Sequence, residues 1–183
     1  MTAARQNTGQ KSDLPLKIKI KHVDPNRAEV VELIRQLDEY QESLYPSESN
    51  HLDPLDELTK TNVDFLAAYS DSEICGIGAI KVLSDYGEIK RVYVPEKHRG
   101  KGVAKEIVKE LENCLAKRSI FITRLETGIH QREAIDLYLT LGYSKTGPFG
   151  DYREDPLSVF MEKKLVENRH EPEIKIFRWR RLK

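Results

Sequence analysis

Leu16, Ile18 and Ile20 alternate with Lys17, Lys19 and Lys21, the period of a half-buried strand whose outer face is basic. The period then becomes helical. Asp24 precedes Val30, Val31, Leu33, Ile34 and Leu37, and the pattern continues through Asp38 to Tyr45 until Pro46 and Ser47 end it. Residues 47–56 are polar and contain Pro54, which predicts a loop leading into a short Leu55 and Leu58 pattern. Two apolar runs, Val63 to Tyr69 and Ile74 to Val82, flank the turn residues Ser70 to Glu73 and predict a hairpin. A second turn at Ser84 to Gly87 adds an antiparallel strand, Glu88 to Val94, which Pro95 stops by removing a backbone donor. Val103, Ile107, Val108, Leu111 and Leu115 fall on one helical face, with Lys105, Glu106, Lys109, Glu110 and Glu112 on the other. Ile120 to Glu126 is the next strand, and such a strand, helix, strand unit is parallel and right-handed. Gln131 to Leu141 gives a further helix with Ala134, Leu137, Tyr138 and Leu141 on one stripe and Gly142 as its stop. Tyr143 begins a short strand, residues 144–156 read as loop, and Leu157 to Leu165 closes the sheet, with Val159 and Met161 alternating against Ser158, Phe160 and Glu162. The class is α/β (α+β layered): a mixed, mostly antiparallel sheet of about six to seven strands with helices on both faces.

Charge removes several functions. Lys and Arg together number 30 against 30 Asp and Glu in 183 residues, so the balance gives no reason to expect nucleic acid or a membrane as partner. The length suits one domain, residues 15–166, with room for a full core. Residues 1–14 are polar and aperiodic and read as a disordered leader, while 167–183 form a basic and aromatic C-terminal extension. No apolar run reaches spanning length, and the N-terminus lacks the apolar stretch of a signal peptide. Cys75 and Cys114 are too few and too scattered for a disulfide framework or a metal site, which predicts a cytoplasmic protein.

The most specific chemistry lies between the fourth strand and its helix. Lys97, His98, Arg99, Gly100, Lys101 and Gly102 place two glycines and several cations where the unpaired N–H groups and dipole of a helix start suit a pyrophosphate. A plain connection with solvated basic residues has the same local spelling. The wider spelling separates the two readings. Arg99, Gly102 and Ala104 resemble the RxxGxG/A signature of the GNAT family of acyl-CoA-dependent N-acyltransferases, whereas neither a Walker loop nor a dinucleotide fingerprint is present. The resemblance covers residues 16–165 through the order of strands and helices and through AIDLYLTLGY at Ala134 to Tyr143. Ser49 to His51, Leu125 to Gly128 and DPLSVFMEKKL, which ends at Leu165, are similar to one bacterial branch of that family. Gln131 departs from it, standing where the usual NxxA pattern begins with Asn.

This resemblance implies a fold whose fourth and fifth strands splay, acetyl-CoA as co-substrate, no metal, and direct acetyl transfer to a primary amine of a small molecule or peptide in a ternary complex. Its cofactor-binding residues would be Val92, Tyr93 and Val94, whose free backbone N–H and C=O groups pair with the pantetheine arm like an added strand. Arg99, Gly100, Lys101, Gly102, Val103 and Ala104 would surround the pyrophosphate, with Gln131 nearby. A backbone N–H near Val94 would donate to the thioester oxygen. Acyl transfer also needs a proton for the departing thiolate and an exit for the amine's proton. Tyr138 stands where relatives keep a tyrosine near the sulfur, although its spacing alone fits a core tyrosine equally well. Glu88, opening the fourth strand, is the first candidate base, acting through a water, with a solvated carboxylate as the alternative; Asp85 and His51 are weaker candidates.

The extension ends IFRWRRLK. Phe177 and Trp179 among cations would suit bases or a membrane surface, while Ile174, Ile176 and Arg178 alternate with Lys175, Phe177 and Trp179 as in a strand added to the sheet or to a second subunit of a homodimer. Two functions therefore stay open, an N-acetyltransferase and a non-catalytic acyl-CoA sensor or tail-mediated interaction protein. No motif names the acceptor; loops 45–60 and 144–156 would set it.

Overall fold

The computed structural model describes residues 17–49 and 52–166, so the expectations for the leader, for His51 and for the tail lie outside the described residues. β1 (Lys19–His22) is followed by α1 (Ala28–Leu44), entered through a turn in which Asp24 Oδ1 accepts the Asn26 amide at 2.9 Å. α1 buries Val30, Leu33, Ile34 and Leu37 of the predicted stripe, while Val31, also assigned to it, is 38% exposed because it lies off that face. The polar stretch expected to be loop holds a 3₁₀ turn at Ser47–Ser49 and then α2 (Leu55–Leu58), a single turn fixed by the burial of Leu58. β2 (Val63–Ser70), β3 (Glu73–Val82) and β4 (Gly87–Tyr93) make the expected meander. α3 (Val103–Ala116), β5 (Ile122–Gly128), α4 (Arg132–Thr140), β6 (Ser144–Thr146) and β7 (Ser158–Lys164) complete the chain order.

Among the described residues, seven strands form one mixed sheet in the order β1-β2-β3-β4-β5-β7-β6. β4 and β5 are parallel, and every other neighbouring pair is antiparallel. β7 inserts between β5 and β6 because it pairs with the whole of β5, from Ile122↔Lys164 to Gly128↔Ser158. The short, exposed β6 is left at the edge, where a long apolar strand would invite aggregation.

Both faces are covered. On one, Val30, Leu33 and Ile34 of α1 pack on Phe65, Ala67, Ile77 and Ala79. On the other, Val103, Ile107, Val108, Leu111 and Leu115 of α3, with Tyr138 of α4, pack on Leu66, Ala68, Ile80, Ile89, Leu125 and Met161. Two buried faces explain why β2 and β3 read as continuous apolar runs. α3 lies close to β3: a Cβ on Gly78 would sit 2.6 Å from Ile107 Cγ2. Ile107, Leu111 and Leu115 are fully buried, and each contributes roughly 1.5–3 kcal/mol by leaving water.

β7 departs from expectation at Phe160. Simple alternation grouped it with Ser158 and Glu162, yet it is 5% exposed. The loop before β7 folds back over that face, and Phe149 meets Phe160 edge-on at 5.9 Å, with Tyr86 and Tyr152 completing a small aromatic cluster.

Candidate active site

β4 is where the sheet opens. Its pairing with β5 runs from Gly87↔Thr123 to Ile89↔Leu125 and stops, so the two parallel strands part beyond Ile89 as expected. On its other side the register with β3 slips between Ala79↔Lys90 and Ile77↔Tyr93, so Arg91 and Val92 together oppose the single residue Gly78. This is a β-bulge, and Arg91 carries it with φ 57, a left-handed conformation that non-glycine residues rarely adopt. The bulge sets which side chains face which helix. Ile89, Val92 and Val94 all join the cluster under α3, while Tyr93 packs toward α1 and bonds Gln36 Oε1 at 3.3 Å. A spacing of three between Ile89 and Val92 inside a strand is the sequence signal for this slip, because a regular strand repeats every two residues.

After Pro95 a 3₁₀ turn at Glu96–His98 leads to Gly100 and Gly102, with φ 72 and 78. Gly102 is the N-cap of α3 and offers no side chain to its amides. The first backbone bond of the helix runs from the Glu106 N–H to Gly102 O at 3.2 Å, which leaves the amides of Val103, Ala104 and Lys105 without intrahelical acceptors. A Cβ on either glycine would meet nothing within 4 Å, so both face open space and are required by conformation rather than by packing. His98 is buried, and neither ring nitrogen has a hydrogen-bond partner among the described residues; Glu73 lies 3.9 Å from Nε2.

The parted strands and this turn share one cleft of about 680 Å³. Glu88, Val92, Tyr93, Val94, Arg99, Gly100, Gly102, Val103, Ala104, Gln131 and Tyr138 all line it, bringing together most of the residues singled out in the sequence. Lys101 does not line it; its ammonium donates to the Lys97 carbonyl at 3.0 Å. Asp85 sits in the exposed turn before β4, with Ser84 Oγ 3.1 Å away, and is not part of the cleft. The backbone of Val92 to Val94 is not wholly free either, since Arg99 Nε donates to the Val94 carbonyl at 3.0 Å. Gln131 caps the start of α4 and is occupied locally, with its Oε1 accepting Thr127 Oγ1 at 2.6 Å and the Gly128 amide at 3.4 Å.

Tyr138 is 6% exposed, its ring edge-on to Tyr143 at 5.5 Å. Its hydroxyl has no hydrogen-bond partner among the described residues. Burial alone pushes its phenol well above the ordinary value, so it stays protonated at neutral pH. Glu88 is 7% exposed and not solvated as a strand-start carboxylate would be. Tyr152 donates to its Oε1 at 2.6 Å, and Lys90 Nζ lies 3.2 Å from the same oxygen. Burial first, then the charge of Glu88, raises the Tyr152 phenol. Tyr152 was not anticipated, since it lies in a loop 64 residues from its partner and no local pattern links the two. Leu37, Tyr40, Gln41 and Leu52 of α1 and the segment before α2 also line the cleft, the Arg99 guanidinium lying 5.9 Å from the Tyr40 ring centroid, and Gln41 Oε1 is buried without a partner among the described residues. Away from it, His22, Asp64 and Cys114 bring ligand atoms within 4.8 Å of one another, bringing Cys114 closer to other donors than its sequence position suggests. Arg118 already holds that Asp64 at 3.0 Å.

A mixed sheet opened between two parallel strands beside a glycine turn is the arrangement that the family resemblance implies. The GNAT acetyltransferase family model matches residues 30–143, and the chain belongs to that family. It is 39% identical over 150 residues to an IAA acetyltransferase of Azospirillum brasilense, covering 81% of this chain and 98% of that protein. An uncharacterised N-acetyltransferase of Bacillus subtilis, YsnE, is 36% identical over 149 residues, 80% of this chain and 99% of its own. Among solved structures, a candidate acyl-CoA N-acyltransferase from Klebsiella pneumoniae is 41% identical, with a TM-score of 0.70 over 82% of this chain and 99% of that one. The PaiA N-acetyltransferase of Thermoplasma acidophilum, solved with coenzyme A, shares the fold at 21% identity and a TM-score of 0.67, over 81% of this chain and 99% of that one. Among the described residues, no helix is long and apolar enough to cross a membrane.

Proposed function

We propose that the protein transfers an acetyl group from acetyl-CoA to a primary amine of a small molecule or peptide, by direct attack with both substrates bound. The observation that carries this reading is the end of β4–β5 pairing at Ile89↔Leu125 beside the unpaired amides that start α3, in one continuous cleft. The unpaired edge of β4 suits the amide-bearing pantetheine arm, and the amides of Val103 and Ala104, the glycines and the cations of the turn suit the pyrophosphate. The Val94 N–H is the donor for the thioester oxygen, while its carbonyl is occupied by Arg99.

The amine enters from the opposite end. There Glu88 takes its proton through a water. As the N–C bond forms and the C–S bond breaks, Tyr138 gives its proton to the departing sulfur. A relative from Thermoplasma acidophilum, 28% identical over 131 residues, is named spermidine N(1)-acetyltransferase, and the two carboxylates Glu88 and Glu126 in the cleft are suited to cationic amines of that kind.

Release of free thiol from acetyl-CoA, followed against polyamines, aromatic amines, amino acids and lysine peptides, tests the proposal. Amine-dependent release with an acetylated product of the expected mass supports it. Tight acetyl-CoA binding with no release on any amine would instead indicate a sensor of acyl-CoA.

A further inference from the structure

Arg91 is buried to 8% exposure, and the chain pays for its position with an uncommon backbone conformation. In a regular strand Arg91 would follow Ile89 onto the α3 face, because residues two apart share a face. The bulge turns it to the other side. There its guanidinium pairs with Asp38 of α1 and donates to the backbone carbonyl of Asp53, which lies next to Pro54, the N-cap of α2. The preceding residue, Lys90, reaches the same segment, with Nζ 3.3 Å from Asp53 Oδ1, and it also touches Glu88 and Tyr152. Two successive side chains thus hold one short segment, which straight alternation forbids. Arg91 lines the cleft, and its Nε is buried with no acceptor among the described residues.

We propose that Arg91 is a positioning residue for the amine side of the site. It clasps α1 and the segment before α2 to the bulge, and so fixes the wall formed by Leu37, Gln41 and Leu52 relative to Glu88. The proposal rests on the acetyl-transfer reading and deepens it: donor binding depends on the turn and the β4 edge, whereas acceptor binding depends on the clasp. A guanidinium is needed because one planar group must serve a carboxylate and a carbonyl from different elements at once, which an ammonium on a flexible stem does poorly.

The test measures Arg91→Lys, Arg91→Ala, Arg91→Gly and Asp38→Asn beside the unaltered protein. With the best amine from the thiol-release panel, the KM for the amine rises roughly tenfold in Arg91→Lys, and kcat/KM falls on the order of 10²-fold in Arg91→Ala, the size of effect a misplaced binding wall produces. Acetyl-CoA Kd by calorimetry stays within about twofold throughout. Arg91→Gly melts above Arg91→Ala, since glycine takes φ 57 freely, yet its amine KM rises as much. That pairing separates relief of backbone conformation from loss of the clasp, and Asp38→Asn moves amine KM in the same direction. Hydrogen exchange at residues 52–58 rises in Arg91→Lys, a readout that needs no acceptor. Unchanged exchange there, or equal weakening of amine and acetyl-CoA binding, overturns the clasp. Absence of any turnover by the unaltered protein overturns the acetyl-transfer reading instead, while exchange still decides whether Arg91 holds the segment.

Discussion

Replacing Tyr138 with Phe removes one hydroxyl from the cleft and leaves the ring against Tyr143, 5.5 Å away. A buried tyrosine hydroxyl usually makes a hydrogen bond that contributes about 1 kcal/mol, and its loss lowers stability by that much. The Tyr138 hydroxyl makes no such bond among the described residues, and Tyr138 lines the cleft, so the Phe variant loses nothing of that kind. Its melting temperature therefore stays level. If the hydroxyl protonates the leaving sulfur, kcat falls on the order of 10²-fold, equivalent to about 2.7 kcal/mol on the barrier, while acetyl-CoA affinity is unchanged. Because burial holds the phenol protonated, the loss is uniform across neutral and mildly alkaline pH. The assay pairs a melting curve with thiol release on the best amine. Normal turnover, whatever the melting temperature, refutes the assignment of Tyr138 as the acid.

Gly102→Val forces a β-branched residue into φ 78 at the start of α3, a conformation costing roughly 1–2 kcal/mol, and places its side chain where the amides face outward; calorimetry should show CoA affinity at least tenfold weaker in a folded protein. Gly128→Ala would push a methyl group into Tyr45, whose hydroxyl oxygen accepts the His130 amide at 2.9 Å, and should cost on the order of 1–3 kcal/mol in a urea titration. Burial raises the phenols of Tyr138 and Tyr143, the carboxylate of Glu112 adding to the effect at Tyr143. With folded values above the unfolded value of about 10, their stabilisation is complete below that pH and lost above it, at roughly 1.4 kcal/mol per pH unit for each tyrosine. Urea midpoints that do not fall between pH 10 and 11 would contradict this.

What could be read from the sequence follows from what local spacing encodes. The stripe of α1, the stripe of α3 and the apolar runs of β2 and β3 each state which side is buried, and the structure buries most of those residues, with Val31 of α1 left exposed. The glycine turn was legible too, since Gly100 and Gly102 are spelled for the positive φ they adopt. The Glu88 and Tyr152 pair was not, because it joins a strand to a distant loop whose path depends on the aromatic cluster around Phe149. Phe160 was misjudged for the same reason: alternation gives the two faces of a strand but not whether a loop returns to cover the second. The exchanged order of β6 and β7 is likewise settled by the long β5–β7 ladder, which no single strand reveals.

The bulge in β4 shows how a local cost yields to a larger one. Kept in straight register, Arg91 would project with Ile89 among Ile107 and Leu111, where an unpaired guanidinium costs several kcal/mol. One residue in the left-handed region costs roughly 1–2 kcal/mol and turns that charge to Asp38 and Asp53 instead. The smaller cost prevails, and its consequences reach the site. The slip returns Val92 and Val94 to the α3 face and coincides with the end of pairing to β5. It also sets Lys90 and Arg91 side by side against Asp53. Placing an arginine directly after Lys90 therefore helps hold the segment that faces the strand, and on the proposed acetyl-transfer reading a substitution there would be felt in amine binding before it is felt in the core.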